Sequence, residues 1–202
     1  MSKHLLLGWL VAPLIVLGFN GCAPPVYVAK SIRGRVVDAE TQQPIEGAVV
    51  VADWILLTNV VGFGKHDQRM KISEAVTDAN GVYLIPCWGP RLRPPFNAFD
   101  YLDPRLIVFK SRYEPVVMDN TLSDWRWMVR ASRWDGETLK LAPFRGNSDD
   151  RLDQLDRILT GPRGKSASTP NFYREILKEE PLIGIAGKPF FRNVRELLEE
   201  GL

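Results

Sequence analysis

The stretch "EAVTDANGVYLIP", residues 74–86, reads as a strand, a turn and a second strand. Asp78 can accept backbone N–H bonds, and Asn80 and Gly81 tolerate the positive φ that tight turns demand. Pro86 then stops the second strand. Local chemistry therefore predicts a hairpin between "KISEAVTD" and "GVYLIP". Upstream, "SIRGRVVD" sets Ile32, Gly34 and Val36 on one face and Arg33, Arg35 and Val37 on the other, the period of two that marks a half-buried strand. "AETQQP" supplies a turn and "IEGAVVVADW" resumes a β-branched run, which together read as a first hairpin.

Between Trp54 and Lys71, "ILLTNVVGFGKHDQRM" is longer than a minimal connection and reads as an inserted loop packed over one end of the core. The prolines of "CWGPRLRPPFNAFDYLDP" exclude a central strand and imply an irregular crossing. "RLIVFKS" and "YEPVVMDN" read as another strand pair, and "ETLKLAPF" as the last strand.

From Asn147 the period changes from two to that of a helix. In "SDDRLDQLDRILTG" the residues Leu152, Leu155, Ile158 and Leu159 share a face, with Ser148 as N-cap and Gly161 as stop. "TPNFYREILKEEP" places Pro170 at a first helical position and Pro181 at the end. "NVRELLEE" reads as a third helix, with Asn193 and Glu196 in capping-box positions. Helices this short are marginal alone in water, where about 12–15 residues are needed, so they must pack on something.

"IRGRVVDAETQQPIEGAVVVA" followed by "EAVTDANGVYLIP" is similar to the carboxypeptidase regulatory-like domain, a transthyretin-like β-sandwich. The family pattern falls on Gly34, Val36 and Asp38, then Thr41, Pro44 and Ile45, then Gly47, Ala48 and Val50, and finally Thr77, Asp78, Gly81 and Tyr83. Gln42 or Gln43 stands where the first turn usually has glycine, and in "SRYEP" Arg112 takes the place of another glycine. The resemblance covers about residues 32–118 and implies an antiparallel transthyretin-like (prealbumin-like) sandwich in a non-catalytic scaffold or accessory module. The C-terminal helices lie outside it.

At the N-terminus, Lys3 leads into an apolar run from Leu5 to Phe19, with Gly21 before Cys22, which reads as a secretory signal. About 15 apolar residues are short of the roughly 20 that a membrane span needs. The segment resembles a bacterial lipoprotein signal, which implies lipidation of Cys22 and tethering to a membrane surface; an ordinary cleaved signal and an uncleaved anchor are the alternatives. The organisation expected is a signal over 1–21, a lipidated tether over 22–31, a sandwich over 32–144 and a helical extension over 145–202. With 26 basic and 24 acidic residues, no nucleic-acid footprint is implied. If Cys22 carries lipid, Cys87 has no intramolecular partner and is expected to be a buried small hydrophobe.

Candidate chemistry is sparse. Once the signal is gone His66 is the only histidine, which excludes a multi-histidine metal site and leaves a Cys87/His66 hydrolase as a remote competitor. "GFGK" lacks the spacing of a phosphate loop, since Asn59 stands five before Gly64 and His66 follows Lys65. Asp149, Asp150, Asp153 and Asp156 read as an acidic first turn continued by a helical pairing of Asp153 with Arg157. In "SDWRWMVRASRW", an extended chain sets Trp125, Trp127 and Val129 against Arg126, Met128 and Arg130. With Trp134 this makes a candidate platform for glycan or an extended partner; the alternative is that the tryptophans close the sandwich. The expectation is a periplasm-facing envelope lipoprotein without cofactor or metal, anchored to the membrane by lipid, that acts as a structural or protein-binding module with an envelope protein as partner.

Overall fold

The computed structural model describes residues 24–59, 65–94, 97–99, 103–120, 128–160 and 169–200. It is mainly β, a sandwich of largely antiparallel sheets, in which the β1–β10 and β2–β11 pairs run parallel, with a C-terminal helical extension. One sheet has the order β4-β3-β8-β9, from β3 (Val49–Asn59), β4 (Lys65–Val76), β8 (Arg105–Phe109) and β9 (Val116–Met118), with β7 (Asn97–Phe99) paired to the far half of β3. The opposing layer is a bent ribbon. Its first half sets β1 (Val26–Ala29) between β10 (Val129–Arg130) and β6 (Trp88–Leu92), and its second sets β2 (Ile32–Asp38) between β11 (Thr138–Leu141) and β5 (Val82–Ile85). Lys30–Ser31 joins β1 to β2 while Pro86–Cys87 joins β5 to β6, so the ladder Ile32↔Ile85 resumes across the bend as Ala29↔Trp88.

Neither expected hairpin forms. β2 pairs with β5 and β11, whereas β3 pairs with β4 and β8, so residues 39–48 and 77–81 are corners that carry the chain from one sheet to the other. The local turn chemistry is nevertheless as read: Asp78 Oδ1 accepts the N–H groups of Asn80 (2.9 Å) and Val82 (2.8 Å), and Gly81 has φ +72°. What joins the corners is Thr77, whose hydroxyl donates to Ile45 O (2.6 Å) and accepts from Ala48 N (2.8 Å). A turn motif fixes a change of direction without naming the strand that receives it.

The inserted loop expected over 55–70 is instead two strand arms. β3 and β4 run antiparallel from Val49↔Val76 to Asn59↔Lys65, with a bulge beside Trp54. The 22–31 segment likewise contains a strand, β1, and its Tyr27 is fully buried. The proline-rich crossing carries two short strands, and Pro90 lies in β6 at the edge of its sheet, the place where a missing N–H is tolerated.

The core between the layers is built from Ile32, Val36, Val50, Ala52, Trp54, Tyr83, Ile85, Leu106, Val108 and Leu141 among others. Trp54 and Trp88 meet across it edge to face, with centroids 5.5 Å apart. The outer face of β3 and β8 presents Val49, Val51 and Phe109 to a second core made by the helices. This is why "AVVVA" is apolar without alternation: β3 is buried on both faces.

The helices are α1 (Ser148–Thr160), α2 (Pro170–Leu177), α3 (Glu180–Ile183) and, after a 3-10 turn, α4 (Lys188–Glu200). Leu155, Leu159, Phe172, Ile176, Phe191 and Val194 point into the shared core. Three boundaries depart from expectation. Asn147, not Ser148, caps α1, its Oδ1 accepting the N–H groups of Asp149 and Asp150 at 2.9 Å. Pro181 does not terminate α2 but sits in the first turn of α3. Asn193 lies inside α4, because the apolar stripe Phe191, Val194, Leu197 already begins before it. Undocking the helices would expose Val49, Val51 and Phe109. At about 1.5–3 kcal/mol per large apolar side chain, that is a loss of roughly 5–9 kcal/mol from the sandwich side alone.

Candidate functional site

The residues of the family-like pattern are occupied with holding the scaffold. Gly34 lies opposite Tyr83 in the β2–β5 ladder, and a Cβ at position 34 would stand 2.6 Å from the phenol oxygen and 2.8 Å from Glu137 O. Burial, together with the charge of Asp135, pushes the Tyr83 hydroxyl up to about 12, so it stays a neutral wedge. Asp38 Oδ1 accepts the N–H groups of Glu40 and Thr41, both at 2.8 Å, and Oδ2 accepts the Tyr113 hydroxyl at 3.0 Å. The Thr41 N–H leads in holding the Asp38 carboxyl below its ordinary range, against an opposing effect of burial. Of the two glutamines, Gln42 takes the glycine-like backbone, with φ +59°, and Arg112 does the same at +70°.

Only some of the sequence-derived site residues fall among the described residues. Arg130 is 1% exposed, and its guanidinium donates to Asp103 O at 3.1 Å. It faces inward beside Ala29, so it is no part of a surface platform. Trp134 packs against the core with Arg133 stacked on its ring at 4.8 Å. Trp125, Arg126 and Trp127 lie outside the described residues, as does Cys22. Cys87 is a free, exposed cysteine at the bend between β5 and β6, which corrects the expectation of a buried one. His66 sits on β4 opposite Thr58. Asp149, Asp150, Asp153 and Asp156 are exposed along α1, and no cluster fit to hold a metal occurs among the described residues. Arg157 Nε donates to the backbone oxygen of Asp153 (3.1 Å), not to its carboxylate.

The polar centre that the structure does assemble is the seam between helices and sandwich. Arg151 on α1 and Glu179, after α2, form a bidentate pair with contacts of 3.1 Å and 2.6 Å, and both side chains are almost fully buried. Arg151 also donates to Tyr113 O (2.7 Å) and stacks on Phe109 and Phe144. Glu179 Oε1 accepts the Arg112 N–H at 2.6 Å, and Glu175 Oε1 accepts that of Ser111 at 3.1 Å, so two helix carboxylates read the backbone of the β8–β9 turn. Burial alone would raise the Glu179 carboxyl. The Arg151 hydrogen bonds and charge, with the Arg112 N–H, outweigh it and hold the group below the ordinary glutamate range. From the other side, Glu74 on β4 accepts the N–H groups of Asn171 and Phe172, both at 2.9 Å, at the start of α2. A cavity of about 380 Å³ opens beside this seam, lined by Arg112, Phe144, Asn147, Arg151, Leu182 and Ile183 among others. With its lone pairs taken, Glu179 is a lock and not a proton carrier.

No family model matches the chain, and neither does any curated protein. Among solved structures it is similar to 3-chlorocatechol 1,2-dioxygenase from Rhodococcus opacus 1CP, at 16% identity over 58% of this chain and 61% of that one, with a TM-score of 0.33. It is similar too to the C-terminal domain of the shaft pilin SpaA from Lactobacillus rhamnosus GG, at 12% identity over 60% of this chain and all of that one, with a TM-score of 0.27. A 9R-lipoxygenase from Cyanothece PCC8801 matches at 15% identity over 76% of this chain and 23% of that one, at 0.30. At such scores neither the chemistry nor the assembly of these proteins passes to the chain.

The seam was not read from the sequence, although a signal for it exists. Arg151 stands four residues before Leu155 and eight before Leu159, a charge on the buried face of its helix; Glu175 repeats the pattern on α2, and Glu179 follows four residues later in the turn before α3. A charge on an apolar stripe announces a buried partner.

Proposed function

We propose that the chain is a membrane-anchored envelope lipoprotein whose transthyretin-like sandwich, of the carboxypeptidase regulatory-like kind, serves as a non-catalytic structural or protein-binding module. One observation carries the reading: the pattern residues Gly34, Asp38, Thr77, Asp78, Gly81 and Tyr83 each have a scaffold task, as ladder neighbour, turn acceptor or corner tie. Anchoring rests on the apolar run followed by Gly21–Cys22. The partner of this reading is an envelope protein, and the domain faces the periplasm.

The test is metabolic labelling with radioactive palmitate and membrane fractionation of the wild type beside Cys22→Ser. The reading expects label and membrane association in the wild type and the loss of both in the variant. A wild type that carries no label and stays in the soluble fraction sinks it.

A further inference from the structure

The chain is held to the sandwich from Pro24 onward. Arg93 Nε donates to Pro24 O at 2.9 Å, and Arg93 N donates to Pro25 O at 2.8 Å. The same guanidinium reaches Asn97 O at 2.6 Å, and Pro24 is buried. Consecutive Cα atoms are about 3.8 Å apart, so Cys22 lies within roughly 8 Å of Pro24. Between the hydrocarbon and the water of a bilayer there is an interfacial layer of about 5–8 Å on each side. Acyl chains on Cys22 would thus leave no slack to lift the domain away, and β1 would meet the headgroups.

The surface at that point suits them. Val26 and Val28 point outward from β1, next to their ladder partners Leu92 on β6 and Val129 on β10. Leu92 is 79% exposed, Met128 54% and Val129 41%. Exposed Lys30, which continues the outward alternation of β1, borders this row with positive charge. Anionic headgroups attract such a residue near the surface.

We propose that the outward face of β10-β1-β6 is a lipid-contact surface, with Val26, Val28, Leu92, Met128 and Val129 bedded in the headgroup layer and Lys30 against anionic lipid. The inference rests on acylation of Cys22. It places the helical layer, which covers the opposite sheet, on the side away from the membrane.

The test uses the full-length acylated protein in phosphatidylethanolamine/phosphatidylglycerol vesicles, in a Cys87→Ser background. An environment-sensitive fluorophore is placed at Leu92→Cys or, as a control on the other sheet, at Val117→Cys. Brominated lipids should quench the label at 92 several-fold more than that at 117, and its emission should shift to the blue on reconstitution. Protein that floats with vesicles while both labels respond alike overturns the lipid-contact surface alone. A label at 92 shielded from soluble iodide but not quenched by bromolipid overturns it in favour of a protein covering this face. Protein that does not float overturns the anchor, and this inference falls with it.

Discussion

Replacing Glu179 by alanine would separate a helical layer that is part of the fold from one that is an appendage. The substitution strips Arg151, 2% exposed at its side chain, of its carboxylate and leaves the Arg112 N–H without its acceptor. Breaking a buried pair from one side costs about 3–5 kcal/mol, because a charge is left buried without compensation. Adding Arg151→Met removes that charge. Relative to Glu179→Ala, it newly deprives Tyr113 O of its donor, at about 1–3 kcal/mol, less than the stranded charge costs, so the double variant should be more stable than Glu179→Ala alone. Trp54, Trp88 and Trp134 pack in or against the sandwich core and the sequence has no tryptophan after residue 134, so tryptophan fluorescence reports the sandwich, while far-UV circular dichroism reports the helices. In urea both probes should shift together in Glu179→Ala, to a lower midpoint with unchanged slope. Helical signal lost ahead of fluorescence, or a fluorescence midpoint equal to that of the wild type, would refute the integral seam.

The same pair sets a pH dependence. The Glu179 carboxyl is depressed in the fold relative to the unfolded chain, so its contribution is present above the unfolded pKa, about 4.3. It is lost as pH falls through the depressed folded value. The wild type should therefore lose stability on acidification below about pH 5 more steeply than Glu179→Gln, and parallel profiles would count against the assignment.

Three further outcomes are expected. Gly34→Ala should destabilise by about 2 kcal/mol or more, through overpacking against the Tyr83 ring and Glu137 O, and a thermal midpoint within a degree of wild type would contradict the register that sets Gly34 opposite Tyr83. Gln42→Gly should stabilise by about 0.5 kcal/mol, since the roughly 1–2 kcal/mol of left-handed strain relieved exceeds the added entropy of the unfolded glycine; a loss of stability in urea would show that the Gln42 side-chain bond to Ala39 O dominates. In a Cys22→Ser background, Cys87 should react with a chromogenic disulfide in the native protein as fast as an exposed thiol, and protection until denaturation would restore the buried placement.

Much of the strand pattern was legible because it depends on neighbours in sequence. Ile32, Gly34 and Val36 face inward as the alternation of "IRGRVVD" requires, and the turn at Asp78 and Gly81 follows from side-chain acceptors and a positive φ. Pairing was not legible, since the partners of β2 are chosen by core geometry between layers. The long arm of β4 was hidden for another reason. Met70 and Ala75 both pack on the inner core although their positions differ in parity, because the ladder jumps from Lys71 opposite Trp54 to Arg69 opposite Ile55. One bulged residue is enough to erase a period of two.

The two departures at the bend and at β10 have local causes. The lack of a disulfide partner does not decide where Cys87 points: the ribbon bends at Pro86–Cys87, which leaves Cys87 exposed, and it is Trp88 that resumes the inward face opposite Ala29. Counting through "WRWMVR" puts Met128 and Arg130 on one side, yet among its described residues only Val129–Arg130 is strand; Met128 is exposed while Arg130 turns in to Asp103. A hydrophobic period predicts a face only while the backbone stays straight, and where a ribbon bends, the hydrogen-bond demand of the enclosed side chains decides which residue enters. Arg130 shows how far that demand reaches. Its buried guanidinium is held by a backbone oxygen that Asn120 Nδ2 also contacts at 2.9 Å, so the 103, 120 and 130 segments close on one another by polar ties that no apolar pattern encodes.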